Sequence, residues 1–352
     1  MEVHIDHLEK EGETMGEITT VGLDLAKRSF HVIGCNEHGK EMKRKMLKRG
    51  QVMGYFANLP PCVIGMEACA SAHYWGRQLG ALGHEVRLIP PQYVKAYVRG
   101  NKNDYNDARA IAEAAVRPDL RCVAVKTVEQ QDIQALHRLR EARVAERTAL
   151  CNQIRGLLME YGIVLAQGVR VLRQSLPALL EDGENGLSDV FRPLLADCYR
   201  QLQEIDVHIE LYTQTLKVHA RENEAVQRLQ TVPGFGPIVA SVFHAFVGNS
   251  QAFRKGRDVS AAVGLVPKQH SSGGKTVLLG ISKRGDRYLR SLLVHGARAV
   301  VRQAANKDDA LSRWINQLKA TRGFNKTAVA LANKMARMGW AILRYETVYR
   351  PA

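Results

Sequence analysis

Through the first ninety or so residues, apolar positions fall in short runs separated by turn residues, the pattern of a sheet rather than of helices. The stretch Val21-Gly22-Leu23-Asp24-Leu25-Ala26-Lys27 reads as a buried strand entering a tight turn. Residues 29–35 form a second strand, closed by the turn residues Glu37-His38-Gly39-Lys40. A charged third strand is predicted over 41–48, and a short helix over 51–59, ended by Pro60-Pro61. Residues 62–67 form another apolar strand, ending on Glu67. Ser71 is a candidate N-cap for a helix reaching Leu82, with Gly83 as its C-cap. A strand over 85–89 stops at Pro90-Pro91. Three strands followed by alternating helix and strand predict a mixed α/β sheet with a leading antiparallel meander.

The pattern changes further on. Asn103 to Ala108 leads into a helix running through Val116. From residue 127 to about 221 the chain is helical and heavily charged. Leu150, Ile154, Leu157 and Tyr161 recur at helical spacing, as do Cys198, Leu202, Ile205, Ile209, Tyr212 and Leu216. That spacing suits the seam of an antiparallel coiled-coil hairpin or of a dimerising helix. Gly183 and Gly186 mark a loop between the two. At Val232-Pro233-Gly234-Phe235-Gly236 two helices flank a Gly-x-Gly turn. This is the outline of a helix-hairpin-helix element, in which Gly234 and Gly236 let backbone N–H groups approach a phosphate, or of an ordinary helix–helix turn. Closing helices are predicted over 292–299 and 327–345.

Charge alters the picture more than composition does. The 352 residues are 45 % hydrophobic and 24 % charged, ordinary values for a globular chain. The net charge of +15 is not ordinary and favours a polyanionic partner. No apolar run approaches the length of a membrane span. Residues 1–17 lack the basic start and apolar core of a signal peptide, so they read as a disordered extension, with Met15 a second candidate start. The six cysteines have neither zinc-ligand nor disulfide-framework spacing, which fits reduced thiols in a bacterial cytoplasm.

Four acids carry the candidate chemistry. Alone, Asp24 could cap a turn or pair with Lys27, and Asp104 and Asp107 could complement a helix dipole. Together, Asp24 on the first strand, Glu67 at the end of a later strand and Asp104 and Asp107 on the following helix match the carboxylate placement of an RNase H-like sheet. There such acids hold two Mg²⁺ ions for phosphoryl transfer. In the C-terminal part, Ser271-Ser272-Gly273-Gly274 is either a flexible linker or a nucleophile loop, set among Lys275, Lys283, Arg284, Arg287 and Arg290. No His-Asp partner for the serine is evident from spacing.

In their order, Gly22-Leu23-Asp24-Leu25-Ala26-Lys27, Met66-Glu67-Ala68-Cys69 and Lys102-Asn103-Asp104-Tyr105-Asn106-Asp107-Ala108 resemble the DEDD-type insertion-sequence transposases, the RNA-guided bridge recombinases. Val232-Pro233-Gly234-Phe235-Gly236, Gly264-Leu265-Val266-Pro267, Ser272-Gly273-Gly274-Lys275 and Ile281-Ser282-Lys283-Arg284-Gly285-Asp286 extend the resemblance to about residue 345. It implies a resolvase-like DEDD domain over 18–126, a coiled-coil segment over 127–225 and a transposase domain over 226–348. It also implies that Asp24, Glu67, Asp104 and Asp107 bind Mg²⁺ in a composite site with Ser272, or less favourably its neighbour Ser271. The implied chemistry is serine attack on a DNA phosphate, then strand exchange through a junction intermediate. The implied partners are donor and target DNA, a non-coding bridge RNA, and further copies of the chain in a dimer or tetramer. Lys102, Gly234, Gly236, Lys275, Lys283, Arg284, Arg287 and Arg290 are the expected nucleic-acid contacts.

Rival readings are a hydrolytic Mg²⁺-dependent junction resolvase, which needs no Ser272, and a non-enzymatic nucleic-acid-binding protein. A sugar kinase of the actin-like superfamily shares the first hairpin but needs a second Asp-x-Gly phosphate turn that this chain lacks. If the positive charge serves phosphate binding, DNA affinity measured by fluorescence anisotropy falls roughly a thousandfold between about 50 and about 200 mM salt. A flat response would contradict the charge argument.

Overall fold

The computed structural model of the chain describes residues 17–101 and 103–351. All but the last residue of the expected extension 1–17 lie outside the described residues, and so does Lys102. The chain divides after Glu129 into two compact units.

In the first unit, β1 (Thr20–Leu25), β2 (Ser29–Cys35) and β3 (Glu41–Lys48) form the expected meander, and β4 (Val63–Glu67) and β5 (Glu85–Ile89) complete the sheet. The strand order is β3-β2-β1-β4-β5, with β2 antiparallel to both neighbours and β1, β4 and β5 mutually parallel. This is the mixed sheet of an RNase H-like domain. Strand side chains alternate between two faces. Val21, Leu23, Phe30, Val32, Ile64 and Met66 form one core with Val52 and Phe56 of α1 (Val52–Ala57) and Trp75 and Leu79 of α2 (Ala72–Ala81). The opposite face carries Gly22, Ile33, Cys35 and Gly65 and receives α4 (Asp104–Ala115), which follows the short α3 (Pro91–Val94).

The helix lies on the sheet at backbone distance. A β-carbon on Gly22 would stand 1.9 Å from the Ala108 carbonyl oxygen, and one on Gly65 would stand 2.7 Å from Ala115 Cβ. The small residues Ala108, Ala112 and Ala115 are fully packed into this seam.

Local boundaries differ in places. The predicted helix 51–59 opens as a 3-10 turn, Arg49–Gln51, and ends at Ala57. Ser71 does not cap α2 through its side chain, because it has a left-handed backbone (φ 69°) where an N-cap needs an extended one. Its carbonyl still accepts the bond from Trp75 N at 3.0 Å. Gly83, at φ 92°, lies just past the C-terminal end as expected.

The second unit begins with α5 (Val128–Met159), α6 (Val169–Glu181) and α7 (Phe191–Glu222). Arg140 Nε donates to Thr213 Oγ1 at 2.8 Å and Arg147 Nη1 to Asp206 Oδ1 at 3.1 Å, so α5 and α7 run antiparallel. Leu202, Ile205, Ile209 and Leu216 of α7 are buried at their expected positions. Towards the C-terminal end of α5 the buried positions are Leu150, Cys151, Ile154 and Leu158, whereas Leu157 and, just past the helix, Tyr161 are 38 % and 37 % exposed. The buried face of α5 advances in steps of four because Leu172 and Leu176 of α6 share the same core with α7.

A separate core gathers α8 (Glu224–Gln230), α9 (Pro237–Val247), α10 (Gly256–Ala262), α11 (Arg287–Gln303), α12 (Ala310–Arg322) and α13 (Phe324–Tyr345) around Phe243, Leu293 and Met335. Both closing helices are longer than expected, and Asp286 caps the start of α11 by accepting from Leu289 N at 2.8 Å. A two-stranded hairpin, β6 (Pro267–Gln269) and β7 (Leu278–Ile281), projects from this unit. No helix among the described residues is long and apolar enough to cross a membrane.

Overpacking the seam between α4 and the sheet should be costly. Gly22→Ala is expected to lower unfolding free energy by about 2–3 kcal/mol, seen as a lower urea midpoint with unchanged slope. Gly54→Ala, on a helix surface with open space around it, is the control and should be neutral or slightly stabilising.

Candidate active site

The alternation that buries Val21 and Leu23 in one core turns Asp24 to the face that carries Gly22. The same parity puts Glu67 with Gly65 and His31 with Ile33 on that face. Leu23 pairs with Met66 across the parallel strands, so Asp24 and Glu67 both leave the sheet one residue beyond, at its C-terminal edge. Helix α4 completes the set. With Ala108 seated on Gly22, the turn before it carries Asp104 and Asp107 over the end of β1.

Two contacts fix the start of that helix. Asn103 caps it by accepting from Tyr105 N at 2.9 Å, and Asn106 Nδ2 donates to the Asn101 carbonyl at 3.0 Å. Arg109 donates to Glu41 of β3, and Glu41 also accepts from Arg44 Nε at 2.8 Å. These contacts anchor the acid-bearing turn to the sheet.

The acids act on one another through their charge. Burial pushes the half-buried Asp24 carboxyl up to about 6, and the charges of Asp104, Asp107 and Glu67 add to the shift while His31 opposes it. Glu67 is also raised, by burial and by Asp107. His31 was not among the expected site residues. It is the cross-strand partner of Asp24, its Nδ1 stands 3.6 Å from Asp104 Oδ2, and its ring meets Tyr105 edge-on at 4.7 Å. Nδ1 is buried and has no hydrogen-bond partner. The signal in the sequence was its position in the strand beside that of Asp24.

Among the described residues, no three His, Cys, Asp or Glu side chains are gathered closely enough to enclose an ion by themselves. The donor set nonetheless fits a hard divalent cation, which takes one or two carboxylates and completes its shell with water and phosphate. Asp24, held up near 6 among like charges, is the observation that fits: a cation at this edge would relieve both its repulsion and its desolvation. Asp24, Glu67, Asp104 and Asp107 are the residues that would hold it.

Ser272 lies in the second unit, at the tip of the β6–β7 hairpin. Gly273 and Gly274 have φ of 55° and 77°, and Lys275 N donates to the Ser272 carbonyl at 3.1 Å. Successive positive φ angles define a primed hairpin turn, which glycine adopts without strain. The Ser-Ser-Gly-Gly stretch is therefore a structured turn, not a linker. Ser271 accepts from Gln269 Nε2 at 3.0 Å. Among the described residues no side chain hydrogen-bonds to Ser272 Oγ, and both serines are exposed.

The expected basic contacts divide by environment. Lys275, Lys283, Arg284 and Arg287 are exposed. Arg290 is half-buried and donates from Nη1 to the carbonyls of Val263 at 2.8 Å and Arg284 at 3.2 Å, bracing the hairpin's base. Gly234 packs against the rest of the unit: a β-carbon there would stand 2.8 Å from Met335 Cε and 3.1 Å from the Gly296 carbonyl. Gly236 is exposed at the start of α9, with open space around it.

Carboxylates at the strand ends of an RNase H-like sheet, with two more on the helix packed across it, define the class of metal-dependent nucleases and transposases built on this fold. Residues 21–163, which include all four acids, match the DEDD transposase model of the IS110 type. Residues 226–312, which include Ser272, match the model described as transposase IS116/IS110/IS902 family. Similar proteins include a probable family 20 transposase of Pseudomonas aeruginosa, 50 % identical over 95 % of this chain and 99 % of the relative. The transposase for insertion sequence element IS1111A of Coxiella burnetii is 45 % identical over 98 % of this chain and 95 % of its own. The transposase for IS1328 of Yersinia enterocolitica is 40 % identical over 95 % of this chain and 99 % of its own. The chain belongs to the IS110/IS116/IS902 family of insertion-sequence transposases, DEDD enzymes of DNA strand transfer whose domain implies a divalent metal.

The raised Asp24 has a consequence for stability. Its folded-state value, about 6, lies above the ordinary 3.8, so the carboxylate costs nothing below about pH 4 and its full penalty is present above about pH 6. In metal-free buffer at pH 7.5, Asp24→Asn should stabilise the protein by about 1–2 kcal/mol, a figure already reduced for solvent screening. The gain should vanish near pH 4, and added Mg²⁺ should raise the melting temperature of the wild type more than that of the variant.

Proposed function

We propose that this transposase cuts and rejoins donor and target DNA through a covalent serine intermediate. In this reading Mg²⁺ is held by Asp24, Glu67, Asp104 and Asp107, and a non-coding bridge RNA pairs with both DNA partners. The observation that carries the metal-dependent part is the convergence of the four acids around Asp24, whose carboxyl is pushed up to about 6. When bound, Mg²⁺ would neutralise the scissile phosphate and its leaving oxygen.

The acids would hold Mg²⁺ against the DNA phosphate, and Ser272 supplies the nucleophile. Its Oγ forms a bond to phosphorus as the bond to the 3′ oxygen breaks. The hydroxyl proton passes to solvent, and the departing oxygen takes one up, leaving a 5′-phosphoserine linkage and a free 3′ hydroxyl. Reversal with a different 3′ hydroxyl rejoins the strands. The defined turn and the exposure of Ser272 support this role. Exposed Lys275, Lys283, Arg284 and Arg287 supply positive charge for the backbone phosphates, and Lys102 and the turn at Gly234 and Gly236 are further contacts. Residues 18–126 serve as the resolvase-like domain, 127–225 as a coiled-coil segment through which the chain forms a dimer or tetramer, and 226–348 as the transposase domain. The enzyme acts in the bacterial cytoplasm.

The absence of a side-chain partner at Ser272 Oγ among the described residues favours one second reading, a hydrolytic junction resolvase in which water is the nucleophile. Protein purified with its native flanking DNA separates the two. Under the serine reading, Ser272→Ala abolishes strand transfer and the covalent protein–DNA species, at least a thousandfold below wild type on the scale of lost nucleophiles, while a discrete RNA mapping beside the gene still co-purifies. Retained cleavage without a covalent species would put water in the place of Ser272. Transfer still proceeding through a covalent species would move the role to Ser271.

A further inference from the structure

The C-terminal unit carries a second basic feature, built from none of the residues assigned to the site above. Helices α12 and α13 and the start of α10 line an open cleft of about 760 Å³. Its apolar lining includes Trp314, Met338 and Trp340, and Lys255, Arg257, Lys334 and Arg337 line it as well. No carboxylate lines it, and none of these cations forms an ion pair with a carboxylate among the described residues. The Lys334 ammonium stands 4.8 Å from the centroid of the Trp314 ring. Since Lys334 itself lines the cleft, that face of the indole is turned toward the opening.

The arrangement follows from helix geometry. Lys334, Arg337, Met338 and Ala341 recur three and four apart, so they share one face of α13. Gly256 lets the chain bearing Lys255 and Arg257 come close to that helix: a β-carbon at Gly256 would stand 3.0 Å from Arg337 Cα. The site is thus assembled by backbone packing rather than by mobile surface side chains. Unneutralised like charges around a cavity repel one another, and an anion entering it relieves that repulsion.

An apolar cleft with an aromatic face and a rim of cations matches the two halves of a nucleotide: a base with a π face and a phosphate beside it. The volume lies within the usual range for a small-ligand site, roughly 300–1,000 Å³. A paired base could not present its face to the indole, so the ligand must be unpaired. We propose that this cleft captures a single unpaired nucleotide of a bound strand. The base takes the Trp314 face with Met338 beneath it, and the flanking phosphates lie among Lys255, Arg257, Arg337 and the displaced Lys334. The inference rests on the reading of this chain as a nucleic-acid recombinase and adds a receptor for single strands to it.

Fluorescence anisotropy with full-length protein tests the assignment, using labelled oligo(U) RNA, oligo(dT) DNA of equal length and a DNA duplex. The exposed double variant Arg257→Ala/Arg337→Ala should weaken single-strand binding about tenfold and shift duplex binding less than about twofold, with the salt slope reduced by about 1.4. Trp314→Leu, which keeps an apolar side chain in the wall, should lose about five- to tenfold by removing the stacking face. Loss confined to RNA would identify a guide strand as the ligand, and loss confined to DNA a displaced strand; either supports the cleft. Unchanged single-strand affinity in the double variant, or an equal loss on duplex, would overturn it. The readout requires neither Ser272 nor the acids, so the cleft can fail while strand transfer stands, and a failed strand-transfer assay leaves it to be judged on its own.

Discussion

The first unit depends on one close approach, that of helix α4 to the backbone of the central strands. Gly22 and Gly65 leave no side chain between sheet and helix, and Ala108, Ala112 and Ala115 return the fit. Everything at the catalytic edge inherits its position from that seam. A helix held one side-chain layer further out would carry Asp104 and Asp107 away from Asp24 and Glu67. Dense packing thus does the work usually credited to the charged residues, since the acids repel one another and cannot assemble themselves.

The energetic logic of the site follows. Burial and like charge raise Asp24 and Glu67, so the fold holds these carboxylates at a cost that a cation or a bound phosphate with its counterion can offset. Neighbours around the site hold this arrangement, and His31 offsets only part of the shift at Asp24. Glu41 ties Arg109 of the helix to β3, and His31 lies beside Asp24 without hydrogen-bonding through Nδ1.

The second unit uses the same device in another place. Gly264 and Gly285 interlock with the opposing backbone so tightly that a β-carbon would come within 2.1 Å of the Arg284 carbonyl oxygen or 1.7 Å of that of Ala262. Ser282 N and Lys283 N close the joint onto Val266 and Gly264, and Arg290 braces it. The Ser272 hairpin therefore springs from a tightly packed base and ends in a defined turn. Buried His137, hydrogen-bonded to Tyr288 and Ser241, joins α5 to the same helix α11 that starts from this base.

Much of this was legible in the chain itself. Period-two alternation, Gly-Pro punctuation and the spacing of the acids determine the strands, their faces and the carboxylate set, because those signals are local and repeat with the geometry of the backbone. The order of motifs likewise determines the family. Other features were decided only by tertiary structure. Ser71 turned left-handed, Leu157 and Tyr161 stayed exposed, Arg290 came to brace the base of the hairpin, and Gly234 came to lie against Gly296 and Met335. His31 became part of the site through strand register, and the Trp314 cleft arose where α10, α12 and α13 meet. Each of these depends on which distant segments share a neighbour, and no local pattern carries that information.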